Sequence, residues 1–157
     1  MPMYLYLGDI TRMETDAIVN AAGTDLRRCP GICDAIFAAA DTEKLERACR
    51  KLGRCRIGQA VARPGWYGGE PRERFLLAGC YQNALHKAYL CSCRRVAVPL
   101  IFSGDCHMPR AASLRVAGAA IADFCQRHPS MEVTLVLYRQ SIYDMAKRIL
   151  GWEDAPS

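Results

Sequence analysis

The chain has 157 residues, 51% of them hydrophobic and 24% charged, a balance that fits one domain with a real core and leaves no comfortable room for a second. No segment nears the ~20 apolar residues of a membrane span, and the opening MPMYLYLGDITR has neither a basic head nor a long apolar run, so the reading is a soluble, cytoplasmic protein. The net charge of +5 is modest and mostly scattered, its densest group being Arg47, Arg50, Lys51, Arg54 and Arg56. On a helix and its exit, without interleaved aromatics, that group reads as a solvated face, which argues against a nucleic-acid partner and leaves a small anionic ligand favoured.

Nine cysteines without an export signal read as reduced thiols, since a disulfide framework belongs to small secreted domains. Cys29/Cys33 and Cys91/Cys93 have no matching second pair of zinc-finger spacing, so no metal is implied, and no cofactor either. Cys49, Cys80, Cys91, Cys93 and Cys125 read as small buried apolar side chains.

In chain order, MYLYL (3–7) predicts a strand, and DAIVN (16–20) is a short β-branched strand followed by Ala-Ala-Gly. DAIFAAA (34–40) reads as a helix start. The next stretch, DTEKLERACRKLG (41–53), sets Leu45, Ala48, Cys49 and Leu52 on one helical face and stops at Gly53. IGQAVARP (57–64) predicts a strand closed by Pro64 and Gly65. After the turn-rich PGWYGGEP, the residues Phe75, Leu77, Tyr81, Leu85 and Ala88 mark a helix of several turns.

The second half repeats the alternation. RVAVPLIFSG (95–104) is an apolar strand entering a loop, and PRAASLRVAGAAIADFCQRH (109–128) is a helix with Pro109 at its start. EVTLVLY (132–138) is the last strand, and SIYDMAKRIL (141–150) the last helix, with Ser141 and Asp144 placed as a capping box. The tail from Trp152 reads as frayed, so the domain is 1–151 with 152–157 outside it. Strands alternating with helices of this length predict α/β crossovers and a mostly parallel central sheet. In such a sheet ligands sit outside the carboxyl ends of the strands, where loops lead into anion-binding helix N-termini. Asn20 to Ile32 and Phe102 to Pro109 are two such exits, placed to grip one phosphate-containing ligand from two sides.

GDIT (8–11), DAIVNAA (16–22), GICDAIF (31–37), IGQAV (57–61), LLAGCYQNAL (76–85), VAVPLIFSG (96–104) and VTLVLY (133–138) follow one another in the order seen in macrodomains, and the resemblance covers nearly the whole chain. It implies a three-layer α/β/α fold around a mixed, mostly parallel sheet, and a single-domain module of bacterial type, monomeric, that binds free or protein-linked ADP-ribose over the strand ends. By position, Asp9 resembles the carboxylate that accepts from the adenine amino group, Ile10 contacts the same ring, and Tyr138 is the aromatic that stacks on it. Asn20 is similar to the first asparagine of the family's Asn-Ala-Ala-Asn. Gly31 and Ile32 fall on the diphosphate loop, and Ser103, Gly104, Asp105 and Cys106 on the second phosphate and distal-ribose loop.

The chain also departs from that pattern. Gly23 stands where the family has its second asparagine, and Cys33 where many hydrolytic members carry aspartate, with Asp34 one place later. RCPG (28–31) keeps one glycine of the family's run and adds Pro30, which lacks an N–H. Asp105 sets a carboxylate beside the expected diphosphate. Between ARPG and WYGGEP the apolar strand that normally follows is missing, which predicts a sheet one strand narrower than usual or a rearranged one.

Cys33, at or near a helix N-terminus where thiol pKa values fall, is the candidate nucleophile. A catalytic thiol needs a base, and the sequence offers none beside it: His86 lies mid-helix and His107 on the other loop. Its plainer role is a small side chain packed under the loop. Three functions follow: an enzyme that removes ADP-ribose from protein or deacetylates its acetyl ester, a module that binds ADP-ribose without cleaving it, and a degenerate macrodomain scaffold that serves protein interaction instead.

Overall fold

The computed structural model describes residues 3–21, 26–27, 31–55, 71–101 and 109–156. The expected strand at 57–61, Gly23, Pro30, and the loop carrying Ser103, Gly104, Asp105, Cys106 and His107 lie outside the described residues. Among the described residues the strands are β1 (Met3–Leu7), β2 (Ala17–Ile18), β3 (Arg95–Pro99), β4 (Glu132–Leu137) and β5 (Glu153–Asp154). The helices are α1 (Ile32–Ala39), α2 (Thr42–Leu52), α3 (Pro71–Leu90), α4 (Arg110–Arg127) and α5 (Gln140–Leu150), with a single 3-10 turn at Ile10–Arg12.

The strands form one sheet in the order β2-β3-β4-β1-β5, and each pairing is parallel. β3 and β4 are central and buried on both faces, which is why each reads as an unbroken apolar run. Successive residues point to opposite faces, so the sheet feeds two cores. Val96, Val98, Val133, Leu135 and Leu5 join Leu77, Tyr81 and Leu85 of α3, Leu114 and Ile121 of α4, and Ile142 and Ala146 of α5. Ala97 and Val136, one position out of step, meet Ile10 and Ile36 on the opposite face, backed by Met13, Ile32 and Leu45. The result is the three-layer α/β/α arrangement that the sequence implied; a mixed, mostly parallel sheet was expected, and every pairing among the described residues is parallel.

Local chemistry explains most of the boundaries. The Asp41 carboxylate accepts from the Lys44 N–H at 3.2 Å to open α2, and Gly53, at φ 77°, closes it where the sequence placed its stop. β2 is shorter than DAIVN, although the Asp16 and Val19 N–H groups carry its pairing outward onto the Arg95 and Ala97 carbonyls, both at 2.9 Å. The capping box expected at Ser141 does not form. The helix begins at Gln140, its N-cap Arg139 makes no side-chain cap, and Asp144 instead accepts from the Gln140 amide at 2.9 Å.

The supposedly frayed tail is also corrected. β5 pairs beside β1, the Ala155 N–H reaches the Leu5 carbonyl at 2.9 Å, and Trp152 packs against the core. None of the seven described cysteines is in a disulfide; Cys80 and Cys125 are buried as expected, Cys49 and Cys93 are only half-buried, and Cys91 is exposed in the turn after α3. Among the described residues no helix is long and apolar enough to cross a membrane.

Candidate ligand-binding site

The chain leaves the carboxyl ends of neighbouring strands toward opposite faces of the sheet. β1 runs into the 3-10 turn, whose Ile10 belongs to the smaller core, and β2 leads to α1, whose Ile36 lies in the same core. β3 leads instead to α4 and β4 to α5, both in the larger core. With the order β2-β3-β4-β1, connections diverge between β2 and β3 and again between β4 and β1. A crevice opens wherever neighbouring strands send their connections apart, and ligands of open α/β sheets bind in such crevices.

Asp9 and Tyr138 stand at the crevice between β1 and β4. The Gly8 N–H bonds the Leu137 carbonyl at 2.9 Å, which carries the ladder one residue further and brings the two following residues together at its end. Asp9 caps the 3-10 turn: one carboxylate oxygen, Oδ1, accepts from the Thr11 hydroxyl at 2.7 Å and the Thr11 N–H at 2.9 Å. Those two bonds, helped by the Arg12 charge, hold its pKa below the ordinary carboxylate value. The second oxygen, Oδ2, takes no hydrogen bond from the described residues, so an ionised acceptor remains at the strand end. Tyr138 is 81% exposed, a large aromatic surface with no packing role to account for it. Ile10, by contrast, is buried in the smaller core, where it fixes the turn that holds Asp9.

The exit of β2 supplies the second crevice. Gly31, at φ 90°, is the N-cap of α1, a conformation that an L side chain resists, and no side chain caps the helix there. The first N–H groups of α1 therefore point outward without an intrahelical acceptor, as an anion site requires. Ile32 is half-buried, its side chain packed on the smaller core. Asn20 crosses to this turn: its Nδ2 donates to the Cys33 sulfur at 3.5 Å, while its Oδ1 is buried with no hydrogen-bond partner among the described residues. Cys33 is only 1% exposed and its thiol also lies 3.8 Å from the Arg27 carbonyl that it donates to.

The exit of β3 is anchored from below. The buried Tyr81 hydroxyl donates to the Pro99 carbonyl and accepts from the Ile101 N–H, both at 2.8 Å. That clamp sets the direction in which the chain enters 102–108. Where the chain returns, Arg110 opens α4 with its Nε buried and without a hydrogen-bond partner among the described residues. Sequence reasoning singled out neither residue. Tyr81 read only as one apolar position on a helical face, and nothing in its spacing marked the hydroxyl.

The two described histidines lie apart from these exits. His86 is exposed on α3, and His128 ends α4 with its ring 4.3 Å from that of Tyr89 and 4.5 Å from that of Phe124. A cavity of about 570 Å³ between α1 and α2 is lined by Arg27, Phe37, Glu46, Cys49, Arg50 and Arg54 among others, and takes in none of the residues the sequence nominated. The described residues thus place an ionised acceptor and an open aromatic at the ends of β1 and β4, and uncapped backbone N–H groups at the start of α1.

The fold places the chain among the open α/β/α domains that take their ligands at the carboxyl ends of the strands. No family model matches the chain. It is 34% identical to an O-acetyl-ADP-ribose deacetylase of Cronobacter sakazakii over 167 aligned positions, covering 94% of this chain and 92% of that protein. It is also 36% identical to a Macro domain-containing protein of Mesorhizobium japonicum over 133 positions, 75% of each. Among solved structures, the Oceanobacillus iheyensis macrodomain with ADP superposes with a TM-score of 0.84 at 26% identity, over 94% of this chain and 88% of that one. The chain belongs to the macrodomain family.

Proposed function

We propose that this macrodomain recognises ADP-ribose, free or attached to protein, with adenine at the Asp9 and Tyr138 crevice and the diphosphate at the N-terminus of α1. The observation that carries the reading is the pairing of an ionised carboxylate, one oxygen open, with an 81% exposed tyrosine at the ends of adjacent strands. A carboxylate accepts from an exocyclic amine, and an exposed ring stacks a base; Thr11 occupies only one Asp9 oxygen, and the other takes no hydrogen bond from the described residues. Asn20 Oδ1 and Arg110 Nε, both buried beside strand exits and without a hydrogen-bond partner among the described residues, further support a polar ligand there, because buried polar atoms normally find partners. The ADP in the Oceanobacillus structure and the name of the Cronobacter relative agree with it.

In this reading Cys33 positions rather than reacts: it is buried, it holds Asn20, and no base stands beside it among the described residues. Gly31 and Ile32 present backbone N–H groups, and Ser103, Gly104, Asp105 and Cys106 complete the phosphate end. The domain acts as a monomer in the cytoplasm, a compartment with which its free thiols accord. Calorimetric titration with ADP-ribose, AMP alongside, tests the reading on the native chain and on Asp9→Ala. Both ligands should bind the native chain and both should weaken at least tenfold in the variant. Absence of binding at millimolar ligand would overturn the reading in favour of a scaffold with a closed cleft.

A further inference from the structure

We infer that Tyr6 is a second aromatic wall of the adenine subsite and contributes to base recognition from the side opposite Tyr138; the inference rests on the ADP-ribose reading above. Tyr6 pairs in register with Val136 on the neighbouring strand, so the two side chains leave the same face of the sheet. Two residues further on, Gly8 and Tyr138 occupy the corresponding positions, the ladder being continued by the bond from Gly8 to Leu137. Tyr6 and Tyr138 therefore stand on one face of adjacent strands, with backbone positions on a diagonal of roughly 8 Å.

Three features single out this tyrosine. It is 39% exposed in a strand whose alternate residues Met3 and Leu5 are buried, so it is not a core residue at the wrong position. Its ring also leans toward the carboxyl end of the strand, that is toward the crevice: a Cβ built on Gly8 would overlap the ring, with Cζ at 3.1 Å. Gly8 is thus the absence of a side chain over which the Tyr6 ring lies, directly before the Asp9 acceptor. Finally, its register partner Val136 is buried in the smaller core, whereas Tyr6 lies outside that core among the described residues. Two open aromatics on one face of adjacent strands, at the strand ends that also carry the Asp9 acceptor, suit a flat, amine-bearing ring, and adenine is the part of ADP-ribose that has this chemistry.

The test is calorimetry with ADP-ribose, AMP and ribose 5-phosphate on the native chain, Tyr6→Leu and Tyr6→Phe, with thermal melting to verify that each variant is folded. Tyr6→Leu should weaken ADP-ribose and AMP by the same factor, roughly five- to tenfold, since stacking on a base is lost in both. Ribose 5-phosphate, which lacks the base, should be indifferent to the change, and Tyr6→Phe should stay within about twofold of the native chain because the ring and not the hydroxyl is used. If the native chain binds ADP-ribose and AMP while Tyr6→Leu binds them equally well, the inference falls and the ADP-ribose reading stands. If Tyr6→Leu weakens ADP-ribose but leaves AMP unchanged, the effect does not come from the base and the inference falls as well. If the native chain binds neither nucleotide, both readings fall together.

Discussion

The Asn20 amide donates to the Cys33 sulfur across 3.5 Å, and this contact ties the exit of β2 to the first turn of α1. Removal of the sulfur leaves a part-buried amide without that partner. Cys33→Ala should therefore lower stability by about 1 kcal/mol in chemical denaturation, while Cys33→Ser, which keeps a polar partner, should lose less. Binding of ADP-ribose should survive both changes within about threefold, since the thiol is only 1% exposed. If a hydrolytic turnover is measurable, it too should persist in Cys33→Ser. A collapse of turnover with binding intact would make the thiol a nucleophile instead.

The Asp9 carboxyl is held below its ordinary pKa, first by the Thr11 hydroxyl and then by the Thr11 N–H. A depressed carboxylate contributes its interactions above the unfolded-state value and loses them only as pH falls through the lower folded value. Asp9 is therefore fully ionised across the physiological range, and ADP-ribose affinity should be flat from about pH 5 to pH 8, where ordinary carboxylates have already titrated. Thr11→Val removes the leading cause, so the Asp9 pKa followed by NMR should move up toward the ordinary value. A bell-shaped affinity profile between those limits would show that another group controls recognition.

Tyr81 carries its hydroxyl into the core to satisfy two backbone groups of the turn after β3. Tyr81→Phe would leave the Ile101 N–H and the Pro99 carbonyl without that partner, in a place where Ile101 is 1% exposed. A buried donor or acceptor left unpaired costs about 1 to 3 kcal/mol, and denaturant unfolding should show a loss in that range. Because the turn leads into 102–108, which the proposed function assigns to the phosphate end of the ligand, ADP-ribose affinity should fall more than AMP affinity. Equal losses for both ligands would mean that the clamp acts on stability alone.

What the sequence could convey was set by how local the determining interactions are. The caps of α2, Asp41 and Gly53, act within one turn, and the apolar runs of β3 and β4 announce burial on both faces, so these elements were readable directly. Asp9 and Tyr138 were nominated by their place in an ordered set of motifs, and the structure sets both at the ends of adjacent strands. The start of α5 was not, because Gln140 competes with Ser141 for the first turn by bonding Asp144. β5 was not either: a two-residue strand has no periodicity, and it exists because β1 offers an open edge in space. Tyr6 illustrates the same limit at the site. MYLYL reads as an apolar strand whichever face is covered, and only the register against Val136 and the bare Cα of Gly8 show that its ring faces the crevice.

The C-terminal segment should contribute measurably to stability despite its short strand. Trp152 packs against the larger core, the Ala155 N–H bonds the Leu5 carbonyl at 2.9 Å, and Lys147 holds the Trp152 carbonyl at 2.8 Å. Asp154 accepts from the Tyr143 hydroxyl and lies 3.4 Å from the Lys147 ammonium. Ending the chain after Gly151 removes a half-buried tryptophan and uncovers the outer edge of β1, for which a loss of about 2 kcal/mol is expected from apolar burial alone. Tyr143→Phe removes only an exposed hydrogen bond and should cost much less. The Tyr143 bond, followed by the Lys147 charge, lowers the Asp154 pKa, so its share is present above the unfolded carboxylate value and is lost as pH falls through the folded one. The stability gap between full-length and shortened chains, measured by urea unfolding, should accordingly be constant at neutral pH and narrow below about pH 4. A gap that widens in acid, or no gap at neutral pH, would show that the segment lies against the sheet without supporting it.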